Sequence, residues 1–204
     1  GMAMAMLASI YGSRFELDLP DGNVALEKTI ELTDRAIELE PDNQFVRIVY
    51  AWRFFVLNQQ EKFLYEIEKA LDLNPNSPFR IGAIGFFLSL SGEWEKGKKL
   101  LDRAMKQNVG YPSWYYGATS LYYYRLNEFE KSYEEALKYD VSALFWGPML
   151  RVASLGQLDR QSTAQQHISE LKTLKPDFES KARYLISRYV KEEGLVEKII
   201  EGLQ

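Results

Sequence analysis

The chain has 204 residues, 46% of them hydrophobic and 14% aromatic, so it has enough apolar side chains to build a core and is not a disordered sequence. Its formal net charge is −4, and the 25 Lys and Arg residues are interspersed with the 29 Asp and Glu residues. No basic stripe follows from this pattern, so we expect no nucleic-acid partner. Cysteine is absent, which excludes disulfides, thiolate metal sites and cysteine nucleophiles and is compatible with the cytoplasmic location that we expect.

The first segment, "GMAMAMLASIY", is apolar but has no positively charged leader and no cleavage site after it, so it predicts a first helix rather than a signal peptide. Gly1 is typical of a residue left by tag removal, and we expect the chain to be a fragment of a longer multidomain protein. The most apolar run, "IGAIGFFLSL", has about half of the twenty residues that a membrane-spanning helix needs. We therefore expect no membrane partner.

An internal repeat organises the middle of the chain. The segments "AIELEPDN", "EKALDLNPNS" and "DRAMKQNVGY" align in register, with a spacing of 34 residues between Ala36, Ala70 and Ala104. Prolines close the first two units at Pro41 and Pro75, and "LKTLKPDF" closes a later unit at Pro176. A period of this length predicts stacked helix pairs, because a single amphipathic pair must bury its apolar face on the next one.

The clearest unit covers residues 78–111 and resembles the tetratricopeptide repeat (TPR). The positions that carry the resemblance are Ile81, Gly85, the turn Gly92-Glu93-Trp94, Gly97 and Ala104. The resemblance implies an all-α, right-handed TPR-like superhelix in one domain, residues 1–204. We expect about five antiparallel helix pairs over residues 2–176 and capping helices over residues 177–204.

Two glycines of this unit interrupt an otherwise continuous amphipathic pattern. A glycine inside a helix costs about 1 kcal/mol relative to alanine, so each needs a structural reason. We predict that Gly92 ends the first helix in a left-handed conformation and that Gly97 lets the second helix approach the first closely.

A closer resemblance extends over nearly the whole chain. It is carried by "LNPNSPFRIGAIGFFLSLSGEWEKGKKLLDRAM", "YPSWYY", "FWGPML", "LGQLDR" and the terminal "LVEKIIEGLQ". Together these segments resemble the C-terminal TPR region of bacterial adenylate-cyclase-type or winged-helix transcriptional-regulator signalling proteins. This resemblance implies a regulatory or interaction module, and neither a cyclase nor a winged helix is present in these residues.

Catalytic and metal-binding patterns are weak in this sequence. His167 is the single histidine, and with no cysteine its one near co-ligand candidate is Glu170. The "GAIG" segment lacks the preceding strand and the third glycine of a dinucleotide loop, and no phosphate-binding "GKS" or "GKT" occurs. We therefore predict a protein that is not an enzyme and that has no catalytic residue, cofactor or metal.

Aromatic residues recur at one position of the repeat. Phe45, Phe79, Trp114 and Trp146 fall near the start of successive first helices, at separations of 34, 35 and 32 residues. Seven residues are about two helical turns, which brings Trp52, Phe86 and Leu121 onto the same faces. The predicted partner-binding residues on the concave face are Phe45, Trp52, Phe79, Phe86, Trp114 and Trp146. The open alternative is that these rings pack between repeats as core residues.

Small and charged residues complete the predicted face. Gly82 and Gly117 fall between the rings and are expected to leave slots for a partner's side chains, and Arg125 and Arg151 are predicted as charges at the edge. Three classes of function compete: a module that binds a protein or peptide partner or its own upstream domain, a self-association scaffold that forms a homodimer, and, as a distant third, an enzyme.

Overall fold

Twelve α-helices make up the computed structural model, which describes all of residues 1–204, and no β-strand is present. The helices are α1 (Met2–Glu16), α2 (Gly22–Leu39), α3 (Gln44–Val56), α4 (Gln60–Leu73), α5 (Pro78–Leu90), α6 (Trp94–Gln107), α7 (Tyr115–Arg125), α8 (Phe129–Leu137), α9 (Trp146–Gln157), α10 (Gln161–Leu174), α11 (Phe178–Ser187) and α12 (Glu193–Gly202). The predicted all-α class is confirmed. None of the twelve combines the length and apolar composition that crossing a bilayer requires.

Consecutive helices pack in pairs, and the pairs stack into a helical solenoid. The first ten helices form five pairs, from α1 with α2 to α9 with α10. The first helices of neighbouring pairs also contact each other, in the order α1, α3, α5, α7, α9. These five first helices therefore form a continuous layer, and the second helices lie outside it.

The same turn joins the two helices of every pair. Its left-handed residue is Asp18, Asn58, Gly92, Asn127 and Asp159 in successive pairs. After each of these, the next backbone N–H donates to a carbonyl five residues earlier, at 2.8 to 3.1 Å, which is the Schellman arrangement. The prediction for Gly92 is confirmed: its φ is 102°, and the N–H of Glu93 donates to the Leu88 carbonyl at 2.9 Å.

Gly97 lies where α6 presses against α5. A Cβ atom at Gly97 would come within 2.5 Å of the Ser89 backbone nitrogen and 2.6 Å of the Gly85 carbonyl oxygen. A Cβ at Gly85 would in turn lie 2.8 Å from the Gly97 carbonyl oxygen. The two helices thus approach to backbone contact at this point, as predicted, and only glycine fits.

The C-terminal helices do more than cover the last pair. Helix α12 packs against α9, where a Cβ at Gly156 would lie 1.9 Å from the Gly202 carbonyl oxygen. Residues 188–192, between α11 and α12, are here called the crossing segment. The N–H of Lys191 donates to the Leu90 carbonyl at 2.9 Å, and Trp94 Nε1 donates to Glu192 at 2.7 Å, so this segment reaches back to the third helix pair.

A group of charged side chains joins the two ends of the stack. This closing ion cluster consists of Asp18, Lys175, Asp177, Lys181 and Arg188. Asp18 lies in the first turn, and its carboxylate accepts from Lys175 and Lys181 at 3.0 Å each and lies 3.3 Å from Arg188. The two ends of the solenoid are therefore in contact, which the sequence does not predict, because the repeat pattern holds no information on contacts between its ends.

Candidate functional site

A cavity of about 560 Å³ lies inside the layer of first helices, and we call it the aromatic cavity. Twenty of its 25 lining residues are hydrophobic. The lining residues belong to the first helices, to Leu17 directly after α1, to Trp114 directly before α7, to the connection of residues 139–145 and to the crossing segment, and no second helix contributes. The cavity therefore forms because successive first helices lie side by side in one layer.

All six residues predicted for the concave face line this cavity. They are Phe45, Trp52, Phe79, Phe86, Trp114 and Trp146. The geometry follows from the repeat: residues that start successive first helices lie side by side, and residues seven positions later lie two turns deeper on the same face. Leu121 takes the equivalent deep position on α7 and also lines the cavity. Their role in binding stays a prediction.

The rings pack against each other as well as facing the cavity. Phe86 and Trp114 meet edge to face with centroids 4.7 Å apart, and Trp146 stacks on Phe145 at 5.2 Å. Trp146 also meets Tyr189 of the crossing segment edge to face at 5.2 Å. The sequence left two alternatives open, groove residues and packing between repeats. The same side chains fit both, because they pack against neighbouring rings and also face the cavity.

Several residues of the lining are exposed to solvent, on α1, on α5 and in the two connections after α1 and before α9. Phe79 is 49% exposed and Leu17 is 40% exposed, although both line the cavity. Ser9, Ser13 and Ala143 are exposed lining residues. These five positions mark the mouth, and Trp52, which is 7% exposed, marks the deep end.

The deep end contains the one charged side chain of the lining, Glu16. Trp52 Nε1 donates to Glu16 Oε1 at 2.7 Å, and the Tyr189 hydroxyl is a second hydrogen-bonding group near this carboxylate. Burial disfavours the charged form and raises the pKa of Glu16 from 4.5 to about 7, against the opposing effect of these hydrogen bonds and of Arg188. A carboxyl group that titrates near neutrality thus faces an apolar space.

Two tyrosines accompany Glu16. The ring of Tyr139 lies between Gly117 and Gly147, where Cβ atoms would come within 3.1 Å of it. Burial raises the pKa of both Tyr139 and Tyr189 above the ordinary value of 10, and the nearby Glu16 carboxylate adds to the effect. Both phenols therefore stay neutral and can act as hydrogen-bond donors over the whole physiological pH range.

The expectation for Gly82 differs from the structure, and the two predicted edge charges lie outside the lining. Gly82 leaves no slot, because the Tyr115 hydroxyl lies 2.2 Å from where its Cβ would be and the ring fills the space. Arg125 and Arg151 do not line the cavity, and each is held by an ion pair, Arg125 with Glu192 at 3.4 Å and Arg151 with Glu170 at 3.1 Å. Long basic side chains reach whichever carboxylate the tertiary structure brings near, which a repeat pattern does not specify.

Sequence reasoning missed Glu16, Tyr139 and Tyr189. Glu16 ends a helix in "SRFELD", where a charged residue normally faces water, and Tyr189 lies beyond the repeats. No local pattern marks either of them, because their position depends on the crossing segment. His167 lies on α10, 3.7 Å from Glu170 and outside the cavity lining, and burial lowers its pKa.

The sequence was compared with known proteins. No protein-family model matches the chain, and no curated protein matches it.

Proposed function

We propose that this chain is a non-catalytic regulatory and interaction module of the TPR type. Its aromatic cavity takes up an apolar group of a protein or peptide partner, or of an upstream domain of the same protein. The observation that carries the proposal is that the six aromatic residues selected from the repeat surround one cavity that opens to solvent. Aromatic anchors that are partly accessible in a concave, mostly apolar site are typical of binding hot spots.

The five equivalent turns and the 34-residue spacing support the TPR assignment. The resemblance to the C-terminal TPR regions of bacterial cyclase-type and winged-helix regulators supports a role in signalling or transcriptional regulation. In such an arrangement, occupation of the cavity would stabilise the closed form of the module, because a ligand stabilises the state that it binds. If the chain belongs to such a protein, a domain ahead of it would respond to occupation of the cavity.

The test is a substitution that fills the cavity without removing a wall. Ala83→Phe places a ring into the cavity from α5, and Ala3→Phe, at an exposed position of α1, is the matched control. We expect Ala83→Phe to abolish partner capture from cell extract, scored by cross-linking and mass spectrometry, and Ala3→Phe to leave it unchanged. Retention of every partner by Ala83→Phe would show that the cavity is not the site.

Truncating an aromatic side chain of the lining gives an independent test. Truncation of a fully buried tryptophan costs about 3–5 kcal/mol, and we expect a smaller loss for Trp114→Ala and Trp146→Ala, because both side chains are only partly buried. Both variants should fold and lose the partner. If they unfold instead, the rings serve as core and the proposed site is wrong.

Self-association is the second candidate, and a specific surface favours it. Four large apolar side chains of helix α1 are exposed: Met2 (37%), Met6 (52%), Leu7 (43%) and Ile10 (63%). This face could be covered by a second copy or by the upstream domain. Light scattering over a concentration series separates the two, because a homodimer gives a doubled mass with the isolated chain.

A further inference from the structure

The lining of the aromatic cavity has an unusual balance of chemical groups. Ten of its residues are aromatic: Phe45, Trp52, Phe79, Phe86, Phe87, Trp114, Tyr139, Phe145, Trp146 and Tyr189. Glu16 is its one ionisable acid, and no Lys, Arg or His lines it. The volume of about 560 Å³ falls within the range of small-molecule sites, about 300–1,000 Å³.

Glu16 forms no ion pair in the protein, although Arg188 lies near enough to lower its pKa. The nearby guanidinium of Arg188 is directed elsewhere, to the Phe15 carbonyl at 2.7 Å and to Asp18 at 3.3 Å, and it lies over the Phe15 ring. Glu16 accepts a hydrogen bond from the neutral indole of Trp52, and the neutral hydroxyl of Tyr189 lies near it. A carboxylate partly removed from water without a counter-charge in contact with it is unfavourable, so a cation that entered the cavity would relieve this cost.

The aromatic walls favour the same class of ligand. The faces of Trp, Tyr and Phe rings attract cations, and clustered rings are a recognised means of binding quaternary and alkyl ammonium groups. Tyr139 lines the cavity near Glu16, and its neutral hydroxyl can donate to a ligand there. A negative group at the deep end and apolar walls toward the mouth fit a molecule with a cationic head and an apolar body.

We propose that the aromatic cavity binds a small hydrophobic organic cation, with its ammonium group beside Glu16 and its apolar body against the rings. The proposal rests on the proposed function in one respect, that this cavity is a binding site. It adds a ligand class: a substituted ammonium ion with a chain or ring body, as opposed to a neutral lipid or a fatty acid.

The experiment compares three probes that share one chain and differ in the head group: decyltrimethylammonium, decanol and decanoate. Binding is followed by intrinsic fluorescence below the micellar concentration, since three of the four tryptophans line the cavity, and is confirmed by titration calorimetry. We expect the ammonium probe to bind about tenfold or more tightly than decanol, which corresponds to about 1.4 kcal/mol, and decanoate to bind most weakly.

The matched pair of variants is Glu16→Gln and Glu192→Gln. Both carboxylates accept a 2.7 Å hydrogen bond from a tryptophan indole, but Glu192 does not line the cavity. We expect Glu16→Gln to lower affinity for the ammonium probe about tenfold and to leave decanol unchanged, and Glu192→Gln to change neither. Tyr139→Phe should weaken ammonium and decanol binding alike.

The outcomes separate the two proposals. Equal affinity of wild-type protein for all three probes would overturn the cation proposal while leaving the cavity as a binding site, and this result needs no variant. Equal loss of all probes in Glu16→Gln would also overturn it. If no probe binds, the cation proposal fails, and the partner capture by Ala83→Phe still decides the proposed function.

Discussion

The stack of five helix pairs and the crossing segment hold this molecule together in different ways. Within the stack, neighbouring helices meet through small residues and apolar rings, as at Gly85 and Gly97. The crossing segment is tied by polar groups from distant parts of the chain, as in the contact of Arg188 with Asp18 across 170 residues. The stack supplies the walls of the aromatic cavity, and the crossing segment, with Tyr189, closes it.

The difference has an energetic consequence. Close packing tolerates almost no added volume, because helices that touch along their backbones cannot separate locally. Charged contacts on partly exposed side chains contribute about 1 kcal/mol or less each and depend on pH and salt. We therefore expect packing within the stack to determine whether the protein folds. We expect the closing ion cluster to determine how firmly the crossing segment is held over the cavity.

The largest expected effect is in the stack. In Gly97→Ala the added methyl group would meet the Ser89 nitrogen and the Gly85 carbonyl, and we expect a loss of about 3 kcal/mol in the free energy of unfolding. The control is Gly194→Ala on α12, where no atom lies within 4 Å of the added Cβ and the higher helix propensity of alanine should give up to about 1 kcal/mol of stabilisation. Urea denaturation measures both. Equal stability of the two variants would contradict the close contact.

An intermediate effect is expected at the junction of the two regions, at Glu16. Its pKa in the folded state, about 7, lies above the ordinary 4.5, so the folded protein favours the protonated form, and stability should fall as the pH rises from about 4.5 to 7. Glu16→Gln removes this dependence. At pH 8 we expect the variant to be about 2 kcal/mol more stable than the wild type, since one pKa unit corresponds to about 1.4 kcal/mol and the accessible part of the carboxylate keeps some hydration.

Thermal unfolding between pH 4.5 and pH 8.5 tests this expectation. The groups that face Glu16 are Tyr139, Tyr189 and Arg188, and the raised pKa values of the two phenols lie above this range. The difference between variant and wild type should shrink toward zero near pH 4.5. The same substitution at the exposed Glu27 should leave the profile unchanged, and a constant difference at all pH values would contradict the titration of Glu16.

The smallest effect is expected in the closing ion cluster. Asp18→Asn removes the charge but keeps a residue suited to the left-handed turn, as Asn58 and Asn127 show at equivalent positions. Asp159→Asn makes the same change at the equivalent turn, where the side chain is exposed and outside any ion pair. We expect Asp18→Asn to cost about 1 kcal/mol and to speed hydrogen exchange of the Lys191 amide, which donates to Leu90. Asp159→Asn should do neither.

Acid provides a second measurement on the same cluster. Burial opposes ionisation of Asp18, but hydrogen bonds from Lys175 and Lys181 outweigh it and lower its pKa, and bonds from Lys181 and Lys175 lower the pKa of Asp177 to about 2. This stabilisation is complete above the ordinary pKa of 3.8 and is lost as the pH falls toward 2. The loss of stability at low pH should be smaller in Asp18→Asn than in the wild type. If both proteins lose the same stability between about pH 4 and pH 2, the proposed role of the cluster is contradicted.

Much of the architecture was predictable because it is repeated. The 34-residue spacing, the left-handed turn at Gly92 and the contact at Gly97 each have a local cause, a turn conformation or a helix approach that few residues allow. The placement of the six aromatic residues on one face followed from helical geometry alone. Three features were not predictable in this way: the contact between the two ends of the stack, the Tyr115 ring that fills the space at Gly82, and the ion-pair partners of Arg125 and Arg151.

The sequence by itself determined the helices, their pairing and the face on which the aromatic residues lie, because each of these depends on neighbours within about one repeat. Only the tertiary structure decided that the face becomes a cavity and that Glu16, Tyr139 and Tyr189 meet at its deep end. Contacts such as those of Asp18 with Lys175 and Arg188 join residues more than 150 positions apart. Small twists between pairs add up over such a distance, so the meeting of the two ends depends on the whole stack and on no single segment.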